Sequence, residues 1–197
     1  MLFRSRLAER DVHELIELST DRRIPIWRSV AEMVLGVVRV HDGNHDSGSD
    51  LFSQGIERYL ATGGRLGVGR WFPAYLADAF VLSGNPRGGN LALEQAPVAD
   101  DVMRFQDPEL VRLQADLLAL NAAPEPVVES AYAQALALSR ELGARAVELR
   151  ASVALARYRI AQGHSDVGEL LEPVSATFSD EQSCFDLDQA RGLLSSD

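Results

Sequence analysis

The chain has 197 residues, of which 46% are hydrophobic and 24% charged, and its formal net charge is −10. That composition suits a globular protein with a real core and excludes broad disorder, while the negative balance opposes a sequence-independent hold on nucleic acid or on an anionic lipid surface. All 19 basic residues are Arg, which removes lysine Schiff-base chemistry and any phosphate loop ending in Gly-Lys-Ser/Thr, and the single Cys184 removes internal disulfides and paired-cysteine zinc sites.

Apolar residues recur at helical spacing from one end to the other. Met1 to Asp11 contain no apolar stretch long enough for a secretion signal, and Met33–Val38 is far short of the ~20 residues of a membrane span. The reading is of a soluble, cytoplasmic protein. Helices are predicted over 7–20, 25–41, 49–62, 70–83 and 89–105, then over 108–121, 126–142, 144–162, 166–178 and 186–194. The second carries the stripe Trp27, Val30, Val34, Val37 and His41; later ones carry Leu110, Leu113, Leu117 and Leu120, then Val128, Ala131, Ala135, Leu138 and Leu142, and then Leu149, Val153, Ala156 and Ile160. Pro25, Pro108 and Pro124 or Pro126 sit where helices start, and Gly63, Gly84, Gly143 and Gly163 sit where they close. No alternating strand pattern occurs. The chain reads as all-α.

Helices ending near His41, Ser83, Asn121 and Gln162 follow one another at intervals of about 40 residues, the spacing of stacked helix–turn–helix units. The alanines between Ala131 and Ala156 are small enough for close packing on two faces. These features predict a right-handed α-α superhelix of four to five degenerate repeats, forming one domain over 1–197. The period exceeds the 34 residues of a regular tetratricopeptide unit, so longer turns are expected.

The block Tyr132-Ala-Gln-Ala-Leu-Ala-Leu-Ser-Arg-Glu-Leu-Gly143, continuing through Arg150 and Leu155 to Ala161-Gln-Gly163-His164, resembles the C-terminal tetratricopeptide-like region of bacterial signalling ATPases. Leu170-Leu171-Glu-Pro173, Phe178 and Asp186–Arg191 resemble its sequel, and Ile24–Trp27 and Tyr59–Gly67 its preceding repeats. In that family an adenylate cyclase or a winged-helix DNA-binding domain often lies upstream. The family's Gly-containing turn before the last helix is replaced here by Phe178-Ser-Asp-Glu-Gln-Ser-Cys184-Phe185. The sequence holds no nucleotide-binding loop, so no catalytic role carries over. The resemblance implies a non-catalytic protein-interaction module of a signalling system, whose partner is a protein or peptide. The alternative is a helical module that senses a small effector. No residue is assigned a catalytic, cofactor-binding or metal role.

Several residue groups invite a sharper reading. Asp42-Gly-Asn44-His45-Asp46-Ser47-Gly-Ser-Asp50 places oxygen ligands at positions 1, 3, 5 and 9 of a calcium loop, but Ser47 and Ser53 occupy the positions of the required Gly and Glu. A turn between helices selects the same residues. His41 and His45 are separated by Gly43; His13 and His164 are isolated, and core or solvated roles are expected for all four. Gly63–Gly69 reads as a loop between repeats, and Cys184, among acidic neighbours, as an unreactive thiol. Trp27, Trp71, Phe72, Tyr75 and Phe80 either anchor a peptide or pack the core, and core packing is the expectation. Arg22 and Arg23, or Arg145, Arg150 and Arg157, either receive an acidic peptide or form a solvated face. Leu7, Val12, Leu15, Ile16 and Leu18 exceed the needs of one stripe, which predicts a homodimer through the N-terminal helix.

Overall fold

The structure, a computed structural model, describes residues 5–63, 71–95, 104–179 and 184–195, with the side chains of residues 5–8, 71 and 105 left aside. Among the described residues every regular element is helical and no strand occurs. The described residues form ten α-helices: α1 (Ser5–Asp21), α2 (Pro25–His41), α3 (His45–Ala61), α4 (Trp71–Leu82), α5 (Pro86–Glu94), α6 (Asp107–Leu120), α7 (Glu125–Glu141), α8 (Arg145–Ala161), α9 (Gly168–Ser175) and α10 (Phe185–Leu194). A short 3-10 turn at Arg104–Gln106 leads into α6. The all-α expectation therefore holds.

The long period comes from 17-residue helices and not from the longer turns expected, since the turns within the α2–α3 and α7–α8 hairpins are three residues long. Arg23, Gly43, Gly63, Gly84, Ala122, Gly143 and Gly163 all have positive φ, and each sits just past the end of a helix. The next residue then donates its N–H back across the turn: Asn44 to the Arg39 carbonyl at 2.8 Å, Asn85 to Phe80 at 2.9 Å, Ala144 to Ser139 at 2.8 Å. This is the Schellman closure, in which a left-handed residue lets the chain reverse while satisfying carbonyls that the helix leaves open. A 17-residue helix plus a three-residue turn makes a 20-residue module, and two modules make about 40. The helices α2 and α3 span 25–41 and 45–61, and α7 and α8 span 125–141 and 145–161, the same bounds displaced by 100 residues.

The chain divides into two compact units, 1–99 and 100–197. In the first, α2 is central and packs on α1, α3 and α4, while α4 packs on α5. A helix gripped by three neighbours needs more than one stripe. Ala31, Met33, Leu35, Val37, Val38 and Val40 are all buried, so the apolar face wraps around α2 rather than following the expected line through Trp27 and His41, both of which are exposed. Val12 of α1, with Leu15 and Ile16, packs against Ala31 and Leu35. Of the apolar residues expected to form a dimer face, Val12, Leu15 and Ile16 are thus turned towards α2, while Leu18 is exposed, as are Arg10, Asp11, His13, Glu14 and Glu17. Leu7 lies outside the described side chains.

Two helices start three or four residues earlier than predicted, and in both small residues permit close approach. In α3, which begins at His45 rather than 49, a Cβ on Gly48 would lie 2.7 Å from the Gly36 carbonyl of α2, and one on Gly36 would lie 2.7 Å from the Gly48 carbonyl. Glycine there reports helix–helix contact, not a turn. In α5 a Cβ on Gly88 would lie 2.5 Å from the Phe80 ring, and the Asn85 side chain caps the helix by accepting from the Gly88 N–H at 3.0 Å. The expected helix over 89–105 is instead α5, ending at Glu94, with the 3-10 turn at 104–106; residues 96–103 lie outside the described set.

In the second unit α7 and α8 each pack on α6, and α8 also packs on α9 and α10. Leu149, Val153, Ala156, Val167, Leu171, Val174, Leu187 and Ala190 form one cluster, and Ala115, Val128, Tyr132, Ala135, Leu136, Ala151 and Leu155 form another. Helices two apart also touch: α2 with α4, α6 with α8, and α8 with α10. Among the described residues no helix is long and apolar enough to cross a membrane.

Candidate functional site

In the first unit, the turn between α1 and α2 gathers apolar residues that the core does not use. Leu18, Ile24, Ile26 and Trp27 are all exposed, Trp27 by 55%. The N–H of Ile24 closes the turn on the Ser19 carbonyl at 2.8 Å, which leaves its side chain outside. Because α3 runs antiparallel to α2, its C-terminal residues Arg58 and Leu60 share this end of the hairpin, and Leu60 is exposed too. Isolated surface apolars are ordinary, whereas Leu18, Ile24, Ile26 and Trp27 all flank a single turn.

Beside it lies a buried carboxylate. Glu32 of α2 is 5% exposed and sits in the otherwise apolar run Ala31–Met33. One of its oxygens accepts from Arg28 Nε at 3.1 Å, and the other from Arg58 Nη1 of α3. Arg58 Nη2 also donates to Gln54 Oε1 at 3.3 Å. Burying a carboxylate is tolerable when it is paired on both oxygens. The arrangement fixes two guanidinium groups side by side, 47% and 48% exposed, at the same end as Trp27. Arg22 and Arg23 lie exposed in the adjoining turn.

The equivalent end of the second unit's hairpin is different. An open cleft of about 570 Å³ is lined by Glu125, Glu129, Arg159, His164 and Asp166 with the turn between α8 and α9. Arg159 grips Glu129 through two hydrogen bonds, Nε to Oε1 at 2.7 Å and Nη2 to Oε2 at 2.6 Å, and these bonds hold the carboxyl below its ordinary range. His164 Nε2 lies 3.0 Å from Glu125 Oε1. Apart from Asp166, the charged groups of this cleft are paired with one another.

Deeper in that unit a network joins four helices. Glu109 of α6 accepts from Arg112 (Nη2 at 2.9 Å, Nε at 3.2 Å) and from Arg150 Nη1 of α8 at 2.9 Å. Arg150 Nε reaches Asp186 of α10 at 3.1 Å, Arg112 bonds Asp116, and Tyr132 of α7 donates to Asp116. Burial alone would raise the Glu109 pKa, but the charges and hydrogen bonds of Arg112 and Arg150 outweigh it and bring it down to about 2. Burial, and then the Asp116 charge, push the Tyr132 hydroxyl well above its ordinary range. Arg150 is therefore a structural ion, not part of a peptide-receiving face with Arg145 and Arg157, which stay exposed on α8.

Asp46, Ser47, Ser49 and Asp50 belong to α3, so the Asp42–Asp50 segment does not wrap as a calcium loop. Excess calcium is expected to leave the melting temperature unchanged; a rise of several degrees that Asp42→Ala abolishes would contradict this. The ring of His45 packs on Phe80 at 5.7 Å with Nδ1 3.4 Å from Asn85 Nδ2, whereas His41 Nδ1 lies 3.4 Å from Asp42 at the end of α2, so the two histidines have separate surroundings. His13 and Cys184 are exposed. Gly63 closes α3 with φ +82, and the rest of Gly63–Gly69 lies outside the described residues. Phe80 is buried, Tyr75 half-buried, and half-buried Phe72 meets Tyr59 edge-on at 6.5 Å. Core packing was the expectation for Trp27 as well; its place in the first turn of α2, ahead of the buried stretch, leaves it in solvent. The Trp71 side chain lies outside the description. Among the described residues no three His, Cys, Asp or Glu side chains converge as a metal site would require. Sequence reasoning missed Glu32 and Arg58, although a carboxylate inside an apolar run was a legible signal for a partner.

No protein-family model matches the chain, and no curated protein or solved structure is significantly similar to it.

Proposed function

We propose that the protein is a non-catalytic interaction module: a tetratricopeptide-like solenoid of helical hairpins, of the kind that bacterial signalling ATPases carry in their C-terminal region, working in the cytoplasm. The observation that carries this reading is the exposure of Trp27 among Leu18, Ile24 and Ile26. A half-exposed tryptophan within an apolar group offers a large, rigid contact at low conformational cost, the usual make-up of a binding hot spot. The stacking of helices two apart supports the solenoid.

The second reading, a sensor of small effectors, draws on the cleft at Glu125 and Arg159. A native mass spectrum of the protein recovered from its host separates the two. The interaction reading expects a stoichiometric protein adduct that Trp27→Ala removes, whereas a retained metabolite and no protein adduct would favour the sensor. Trp27→Ala itself is expected to change folding stability by no more than about 0.5 kcal/mol, since the side chain lies at the surface. A loss of several kcal/mol in a urea melt would show that Trp27 belongs to the core.

A further inference from the structure

We infer that the open end of the α2–α3 hairpin binds an acidic peptide segment carrying large apolar residues, with its carboxylates on Arg28 and Arg58 and its apolar side chains over Trp27. This rests on the interaction reading above and names the partner's chemistry.

The inference comes from the way the cations are held. Glu32, buried and bonded on both oxygens, fixes Arg28 and Arg58 in one orientation. A guanidinium has five donors in a planar fork that matches a carboxylate. Arg28 gives Glu32 only its Nε, and Arg58 gives its two donations to Glu32 and Gln54. Both side chains remain about half exposed, so donors are left for an incoming anion. The two side chains are already ordered, so less conformational entropy is lost when they bind.

Charge identifies the occupant. The chain carries −10 overall, yet this end presents Arg22, Arg23, Arg28 and Arg58 among Leu18, Ile24, Ile26, Trp27 and Leu60, with Glu17, Asp21 and Glu57 as the exposed acidic residues of the same helix ends. At physiological salt, charges beyond about 8 Å are screened, so the local cations decide. A purely apolar partner would cover the exposed Arg22 and Arg23 and the donors of Arg28 and Arg58 that Glu32 and Gln54 do not use, without answering them. A nucleic acid would also offer anions, and a base to stack on Trp27. Its affinity, however, rests on neutralising many phosphates, and four arginines on an acidic chain supply little of that. A peptide with a few carboxylates and apolar residues answers both halves of the surface.

The probe is a fluorescein-labelled fifteen-residue peptide, three repeats of Glu-Glu-Leu-Phe-Asp, titrated with the full chain by fluorescence polarisation. The expected result is saturable binding that weakens at least tenfold in Trp27→Ala and in Arg28→Gln. It should weaken equally in Arg22→Glu, whose exposed side chain lies outside the Glu32 pairing. The isosteric peptide with Gln and Asn for Glu and Asp should not bind. No saturable binding, binding untouched by these variants, or tighter binding of a single-stranded oligonucleotide would overturn the inference. So would a concentration-dependent self-association that excludes the peptide. If the native spectrum still shows a protein adduct dependent on Trp27 while the peptide fails, this inference falls alone and the interaction reading stands.

Discussion

Gly36→Ala is expected to destabilise the first unit by about 1–3 kcal/mol, although alanine favours a helix interior over glycine by about 1 kcal/mol. The added Cβ would lie 2.7 Å from the Gly48 carbonyl and 2.9 Å from the Phe52 Cβ and backbone nitrogen. Two of those atoms are backbone, so relief requires α2 and α3 to separate rather than a side chain to rotate. The same separation would loosen the Glu32–Arg58 pair that bridges the two helices. Gly192 is the control. It lies within α10, and a Cβ there meets nothing within 4 Å, so Gly192→Ala should stabilise by up to about 1 kcal/mol. Urea melts of the two variants should therefore move in opposite directions; a stabilised Gly36→Ala would contradict the close packing of α2 on α3.

Glu109→Gln is expected to destabilise the second unit by about 3–5 kcal/mol near neutral pH, because it leaves Arg112 and Arg150 without the carboxylate they share. The pH dependence distinguishes this from a packing defect. The Glu109 pKa is about 2 in the folded chain against 4.5 ordinarily, so the folded state binds the proton less readily than the unfolded chain. Its contribution, about 3 kcal/mol, is complete above pH 4.5 and is lost as the pH falls from 4.5 towards 2. The stability gap between wild type and Glu109→Gln should accordingly narrow across that window. A gap that stays constant from pH 6 to pH 3 would show that the charge is not what holds α6 to α8.

Much of the fold was legible because its punctuation is local. A glycine after an apolar stripe signals a left-handed closing residue, and Gly63, Gly84, Gly143 and Gly163 all have positive φ. What escaped was set by tertiary contact. Gly48 reads as a turn residue in sequence and Gly88 falls just outside the helix predicted over 89–105, yet each lies in a helix with a neighbour pressed against its bare backbone. Arg23 and Ala122 close their turns without glycine, so those turns carry no such sign. The correspondence of α2–α3 with α7–α8 was hidden because it preserves spacing rather than residues: position 32 is a buried Glu in one and position 132 a buried Tyr in the other.

The candidate site was harder still. Trp27 shares a helical stripe with Val30 and Val34, and periodicity alone cannot say that the first turn of α2 projects beyond its neighbours. Arg28 and Arg58 are 30 residues apart in sequence and meet only through Glu32, so no spacing rule links them. Arg150, by contrast, looked like a surface cation and is held between α6 and α10.

The central claim is that the protein works by recognition at the Trp27 end of its first hairpin. Replacing Trp27 with the photo-reactive amino acid p-benzoylphenylalanine, irradiating host cells that express the variant, and comparing it with the same replacement at exposed Arg157 tests this directly. The account expects a discrete covalent protein adduct from position 27 that is absent from position 157. No adduct from position 27, or the same set of adducts from both positions, would contradict it.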